Sequence, residues 1–289
     1  MVRGIPWRLF EKIGATAQSN ASVEFEAGQR ILRANLPPDQ LWVAIKDILV
    51  YEDYEFLQSF RLSKMPVAAT VLDAGAFVGL YSLRASQFAR RVVSLEPSPR
   101  NYAYLTANLS LNKISNVEPH ELALSSKEGI SAFTEAGTIS GFDRNGRHLV
   151  ETTTLDDVAE SLGRVDLLKM DIEGAEYDVF AASKLAWKRI AKITAEVHVY
   201  NEAHKIGLRK LVQDLRRNAF EVKVLWSPFQ GIAYGITKPW KCALRRYNGR
   251  DPMLYRLMLS AIYGAGPLAG ALKRSMEIGS EGLLFAYRE

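Results

Sequence analysis

From residue 66 onward the chain alternates between two patterns. Short apolar, β-branched runs fall at Thr70–Asp73, Val92–Leu95, Val117–Leu122, Val165–Met170, Ile193–Val199 and Phe220–Leu225. Runs of this kind predict strands. Between them, helical patterns lie near Gly79–Ala89, Asn101–Leu111, Glu173–Ala182 and Gly207–Asn218. Strand then helix, repeated, predicts an α/β fold with a parallel sheet and helices on both faces. Ile130–Thr134 and His148–Thr153 predict two further strands, and Gly282–Tyr287 predicts a last one.

Two regions stand outside this rhythm. Residues 1–65 predict a mostly helical N-terminal extension, broken at Pro37-Pro38 and followed by an amphipathic stretch over 41–50. Residues 226–281 are rich in Gly, aromatic and basic residues, and predict a segment inserted into a domain of residues 66–289. Inside it, Leu257–Leu272 is an uncharged run of 16 residues containing Gly264, Gly266, Pro267 and Gly270. A membrane span takes roughly 18–20 residues, so this run predicts a buried helical hairpin.

Composition narrows the class. The 289 residues are 48% hydrophobic and 24% charged, which excludes a disordered chain. Cys242 is the only cysteine, so an intrachain disulfide and a zinc site with two thiolates are excluded. The first residues lack a secretory signal pattern. A cytoplasmic protein is expected, at most peripheral at the inner membrane surface. The net charge of +5 is local. Residues 226–289 hold nine Lys/Arg and four Asp/Glu, while 1–225 hold 28 of each. Arg245, Arg246 and Arg250 are therefore expected to face an anionic acceptor or surface.

Three strand ends carry the candidate chemistry. The first is Asp73-Ala74-Gly75-Ala76-Phe77-Val78-Gly79. Ligands of open α/β sheets bind outside the carboxyl ends of the strands. Gly75 lets backbone pass close to a ligand, and the next helix offers free N–H groups. The spacing is G-x-x-x-G, with Phe77 where dinucleotide sites have a second glycine. Asp73 would repel a pyrophosphate and suits a cationic ligand end, such as the ammonium and sulfonium of S-adenosylmethionine (SAM). The second is Glu96-Pro97, 21 residues after Gly75, where an acid commonly accepts from ribose hydroxyls. The third is Lys169-Met170-Asp171-Ile172-Glu173-Gly174-Ala175-Glu176. Its acids can cap the following helix; Asp171 is also placed for a ligand or catalytic role, and Lys169 and Glu173 are further candidates.

Together LDAGAFVGLYS (72–82), SLEPSPRNYAYLTANLSLN (94–112), ELALSSKEG (121–129), TTLDDV (153–158) and LLKMDIEGAEYDVF (167–180) resemble the FkbM family of SAM-dependent methyltransferases. The resemblance covers about residues 70–200. It implies a Rossmann-like class I SAM-dependent methyltransferase fold, with a seven-stranded, mostly parallel sheet and an antiparallel last strand. It implies methyl transfer, usually to a hydroxyl of a small molecule, sugar or natural-product scaffold. The expected SAM contacts are Asp73, Ala74, Gly75, Ala76 and Phe77 for the amino-acid tail and Glu96 and Pro97 for the ribose. Leu122 and Ala123 are expected near the adenine, with Asp171 near the methyl.

Methyl transfer to oxygen needs alignment of acceptor and methyl, and a base for the hydroxyl proton. Candidate catalytic residues are Asp171, Lys169 and, after strand five, Glu196 and His198, which share one face of a strand. His198 has the ordinary pKa best suited to base work. The primary reading assigns no metal; the alternative lets Asp171, Glu196 and His198 hold Mg²⁺ or Mn²⁺. Expected acceptors are a small molecule or glycan, lipid-linked glycans included. The rival readings are an RNA methyltransferase using the basic C-terminal segment, although nucleic acid is not the expected partner, and a non-catalytic SAM-binding module.

Overall fold

The computed structural model describes residues 21–37, 53–55, 57–134, 141–142, 148–199, 201–226 and 281–288, with Ile45, Ile48 and Leu49. The chain divides into two units, residues 1–224 with 283–289 and residues 225–282. The described residues belong almost entirely to the first. The 257–272 run and the arginines of the basic segment lie outside them. Among the described residues, no helix is long and apolar enough to cross a membrane.

Where an N-terminal helical extension was expected, residues 21–36 form an antiparallel hairpin of β1 (Ala21–Ala27) and β2 (Arg30–Leu36). The reason is period. Leu32, Ala34 and Leu36 are buried at every second position, and Gly28 takes φ +60° at the turn. Three short 3₁₀ turns follow, at Asp53–Glu55, Gln58–Phe60 and Leu62–Lys64.

The main domain then runs β3 (Thr70–Ala74), α1 (Leu80–Ala85), β4 (Arg91–Leu95), α2 (Pro99–Leu111) and β5 (Val117–His120). Next come β6 (Ala123–Leu124), β7 (Gly129–Thr134), β8 (Gly141–Phe142), β9 (His148–Thr153) and α3 (Leu155–Leu162). The second half is β10 (Leu167–Met170), α4 (Glu176–Ala182), α5 (Ala186–Arg189), β11 (Lys192–His198), α6 (Glu202–Arg217), β12 (Glu221–Trp226) and β13 (Glu281–Tyr287). α3 was not anticipated, although Thr154 caps it by accepting from the Asp157 N–H at 3.1 Å.

Seven strands form one sheet in the order β12-β13-β11-β10-β3-β4-β5. β11, β10, β3, β4 and β5 are parallel neighbours. Their residues Val71, Leu72, Val92, Leu167, Leu168, Ile193, Ala195 and Val197 have no accessible surface. Such continuous apolar runs mark strands covered on both faces. The predicted Val117–Leu122 strand ends two residues early, at His120. Residues 117–120 stay in this sheet, and Ala123–Leu124 join a smaller one, β6-β9-β7-β8. The last strand, β13, slots between β11 and β12.

The hairpin is fastened to α2 by two asparagines one helical turn apart. Asn108 accepts from the Asn35 N–H at 2.7 Å and donates to the Asn35 and Val78 carbonyls at 3.0 and 2.9 Å. Asn112 accepts from the Arg33 N–H at 2.8 Å and donates to its carbonyl at 2.6 Å. The two amides pair with β2 as a neighbouring strand would.

This topology positions the site. From β3 the chain winds outward through β4 to β5, then returns to lay β10 on the other side of β3. The carboxyl ends of β3 and β10 therefore flank the switch point, where α/β sheets open a crevice.

Candidate active site

The loops after β3 and β10 meet at Gly75. A Cβ there would lie 1.7 Å from the Asp171 carbonyl oxygen, and Gly75 itself sits at φ +76°. Both facts demand glycine. The Asp171 N–H donates to the Ala74 carbonyl at 3.0 Å, and the Gly75 and Ala76 N–H groups donate to the Leu95 carbonyl at 3.0 and 2.9 Å. Phe77 then adopts φ +54°, uncommon for a side-chain-bearing residue. Its N–H donates to Glu96 Oε2 at 2.7 Å.

The Asp73 carboxylate is enclosed by protein. It has no accessible surface. Ser82 donates to Oδ2 at 2.5 Å, and the Lys169 ammonium lies 3.4 Å from Oδ1. In this structure Asp73 anchors the turn. Lys169 is equally internal. It donates to the Gly75 carbonyl at 2.7 Å and lies 3.9 Å from Asp171 Oδ2. Burial works to lower its pKa, but the carboxylates of Asp73 and Asp171 outweigh it and raise it. Lys169 is thus an ammonium holding both loops.

Glu96 lies at the end of β4, nearly buried. Besides Phe77, it accepts from the Ser98 N–H at 2.9 Å. Burial pushes its pKa up to about 7, against the pull of the Ser98 and Phe77 N–H groups, the Asn101 side chain and Lys169. The Glu96 N–H donates to the His120 carbonyl at 3.1 Å, which ties β4 to β5 just before Leu122. Partly exposed Gly75, Phe77, Pro97 and Leu122 thus follow the ends of three adjacent strands, with Ala74, Ala76 and Ala123 buried beside them.

On the other side of the switch point, Asp171 meets a residue that no motif singled out. The Tyr54 hydroxyl donates to Asp171 Oδ2 at 2.7 Å and lies 3.3 Å from Glu196 Oε2. Lys169 Nζ stands 4.9 Å from the Tyr54 ring centroid, within cation–π range. The turn carrying Tyr54 is clamped by its neighbour Glu55, which pairs with Arg84 and accepts from the Leu62 N–H at 3.0 Å. A lone tyrosine in an irregular stretch carries no sequence signal for this placement.

His198 closes this side. Its Nδ1 lies 3.3 Å from Glu176 Oε1 and its Nε2 lies 3.6 Å from Glu173 Oε2. Burial alone would lower its pKa. Glu176, through hydrogen bonding and charge, and the charges of Asp171 and Glu196 more than reverse that, raising it to about 10. These carboxylates thus favour the protonated ring. Glu173 sits at φ +58° in the loop, and Glu176 Oε1 accepts from the Ile172 and Gly174 N–H groups at 3.1 and 3.2 Å. Among the described residues, the group able to share a metal is Asp171, Glu173 and His198, with Glu173 in place of the anticipated Glu196.

Known proteins resemble this chain. AmbE of Pseudomonas aeruginosa, an AMB antimetabolite synthetase, is 29% identical over 256 residues, covering 72% of this chain but only 12% of that protein's length. Methyltransferase sdnD of Sordaria araneosa is 25% identical over 227 residues, covering 63% of this chain and 86% of sdnD. The crystal structure of methyltransferase FkbM from Methylobacillus flagellatus is 16% identical and covers 75% of this chain and 55% of that one, with a TM-score of 0.40. The profile of the methyltransferase FkbM domain matches residues 73–221, from the buried acid of β3 to the start of β12. That stretch is more than half of the chain and holds both loops of the switch point, so the chain belongs to the FkbM methyltransferase family.

Proposed function

We propose that the chain transfers a methyl group from SAM to a hydroxyl oxygen of a small molecule, sugar or lipid-linked glycan. The observation that carries this reading is Glu96. It is a nearly buried carboxylate at the end of β4, beside the partly exposed turn at Gly75 and Phe77. Phe77, Ser98 and Asn101 hydrogen-bond it. A carboxylate offers about four acceptor positions, so capacity for a ribose hydroxyl remains. The residues present therefore fit SAM.

When bound, SAM supplies an electrophilic methyl on a sulfonium. The chain supplies the rest. Glu96 holds the ribose, the 75–79 turn faces the amino-acid tail, and Leu122 borders the adenine. Asp171 or Glu196 takes the acceptor's hydroxyl proton, with the Tyr54 hydroxyl within reach of both carboxylates. General-base help of this kind contributes about 10²–10⁴-fold.

Calorimetric titration with SAM tests the cofactor half. Ribose hydroxyls donate to the ionised carboxylate, whereas burial favours the protonated one. Affinity should therefore rise as pH rises through about 7, the raised pKa of Glu96. Between pH 6 and 8 the ionised fraction grows roughly tenfold, which sets a limit of about tenfold on the gain. Glu96→Gln should weaken binding by about 1–3 kcal/mol and flatten this pH dependence. An unchanged affinity in Glu96→Gln would remove the ribose assignment.

A further inference from the structure

We propose that Asp171, Glu173 and His198 bind one divalent cation of the Mg²⁺ or Mn²⁺ class on the acceptor side of the crevice. The proposal deepens the reading above and rests on it for the role of the ion, though not for its binding. The three ligand atoms come from separate places, the end of β10, the loop after it and the end of β11. All lie within 4.8 Å of one another. Mg²⁺ holds its oxygen ligands at about 2.0–2.1 Å. The partly exposed Asp171 and Glu173 carboxylates would draw in toward His198 around the ion.

Three further observations point to a cation. Asp171 Oδ1 is buried and has no hydrogen-bond partner, although Oδ2 of the same carboxylate accepts from Tyr54. An orphaned carboxylate oxygen is costly, and a metal ion removes that cost. Next, the carboxylates of Asp171, Glu173, Glu176 and Glu196 gather around Lys169, Tyr54 and the His198 ring. A divalent ion between Asp171 and Glu173 offsets their mutual repulsion, and His198 Nε2 gives up its proton to bind it. Last, the histidine is mounted as a metal-binding imidazole is. Glu176, itself anchored by two backbone N–H groups, stands behind Nδ1, while Nε2 faces Glu173. Metal-bound imidazoles commonly carry such a carboxylate behind the ring, and it fixes the ring's orientation.

Two carboxylates and one imidazole suit Mg²⁺ or Mn²⁺, which keep several positions for water or substrate oxygens. The acceptor class that uses such an ion carries two adjacent oxygens, as in a vicinal diol or a hydroxy-carbonyl. One oxygen fixes the orientation, and the other, as the attacking hydroxyl, becomes more acidic beside the ion.

The test is a Mn²⁺ titration of the EDTA-dialysed full chain, with free Mn²⁺ read by electron paramagnetic resonance. One ion per chain is expected, with affinity at least tenfold weaker in Glu173→Gln. Glu173 is partly exposed, so this variant should fold; His198→Gln is the second variant and should show the same loss. SAM affinity, measured in parallel, should be unchanged in Glu173→Gln. Failure to retain Mn²⁺ at millimolar concentration overturns the site. So does a Glu173→Gln chain that binds as tightly as wild type, leaving the cluster an ion-pair network around an imidazolium. Capture of Mn²⁺ by a chain that does not bind SAM would support the metal site while removing the proposed cofactor.

Discussion

Gly75→Ala is expected to abolish SAM binding and to cost on the order of 4 kcal/mol or more of stability, at the severe end for one substitution. The backbone there is at φ +76°, which costs an L side chain about 1–2 kcal/mol by itself. The greater cost is steric. The new Cβ would fall 1.7 Å from the Asp171 carbonyl oxygen and 2.8 Å from its carbonyl carbon. Neither is a flexible side chain that can swing aside. The loop after β10 would have to move, breaking the bond from the Asp171 N–H to the Ala74 carbonyl. Gly174→Ala is the control. That glycine is also at positive φ, +101°, but nothing lies within 4 Å of its Cβ position. It should show strain alone. Thermal and denaturant unfolding of both variants, with SAM calorimetry on the folded fraction, separate the two costs. A Gly75→Ala chain as stable as Gly174→Ala would contradict the contact between the loops.

Lys169→Met should rank second, with a loss of about 3–5 kcal/mol. The side chain is a buried cation between two carboxylates, and its ammonium also satisfies the Gly75 carbonyl. Methionine approximates the volume but leaves Asp73 buried without its charge partner. Removing one partner of a buried pair is far worse than removing both. The double variant Lys169→Met with Asp73→Asn should therefore recover part of the loss. Denaturant midpoints of wild type, both single variants and the double variant complete the cycle. If Lys169→Met unfolds at the wild-type midpoint, Lys169 is no strut. If the double variant is less stable than Lys169→Met alone, Asp73 does more than balance its charge.

The sheet was legible in the chain because its signals are local. Val71-Leu72 and Val92-Val93 read as buried strands without knowledge of their neighbours, and Asp73-x-Gly75 and Glu96-Pro97 mark the ends of the first two. The hairpin at 21–36 was legible in principle. Its alternation is clean, but the run is short and lies between an uninformative N-terminal stretch and Pro37. Asp73 shows a different limit. Its type and position suggested a ligand contact, and only packing could show that Ser82 and Lys169 enclose it.

Strand period, turn residues and the motifs of the three strand ends were thus determined by the sequence itself, since each depends on neighbours a few positions away. Which groups meet was decided by the tertiary structure. Lys169 reaches the carbonyl of Gly75, 94 residues earlier, because β10 returns to pair with β3. Tyr54 reaches Asp171, 117 residues later, because Glu55 clamps its turn against Arg84. His198 meets Glu173 and Glu176 because β11 sets it against the loop after β10 and the start of α4, and those carboxylates raise its pKa. Charge and burial act through space, and the distances through which they act are set by strand order.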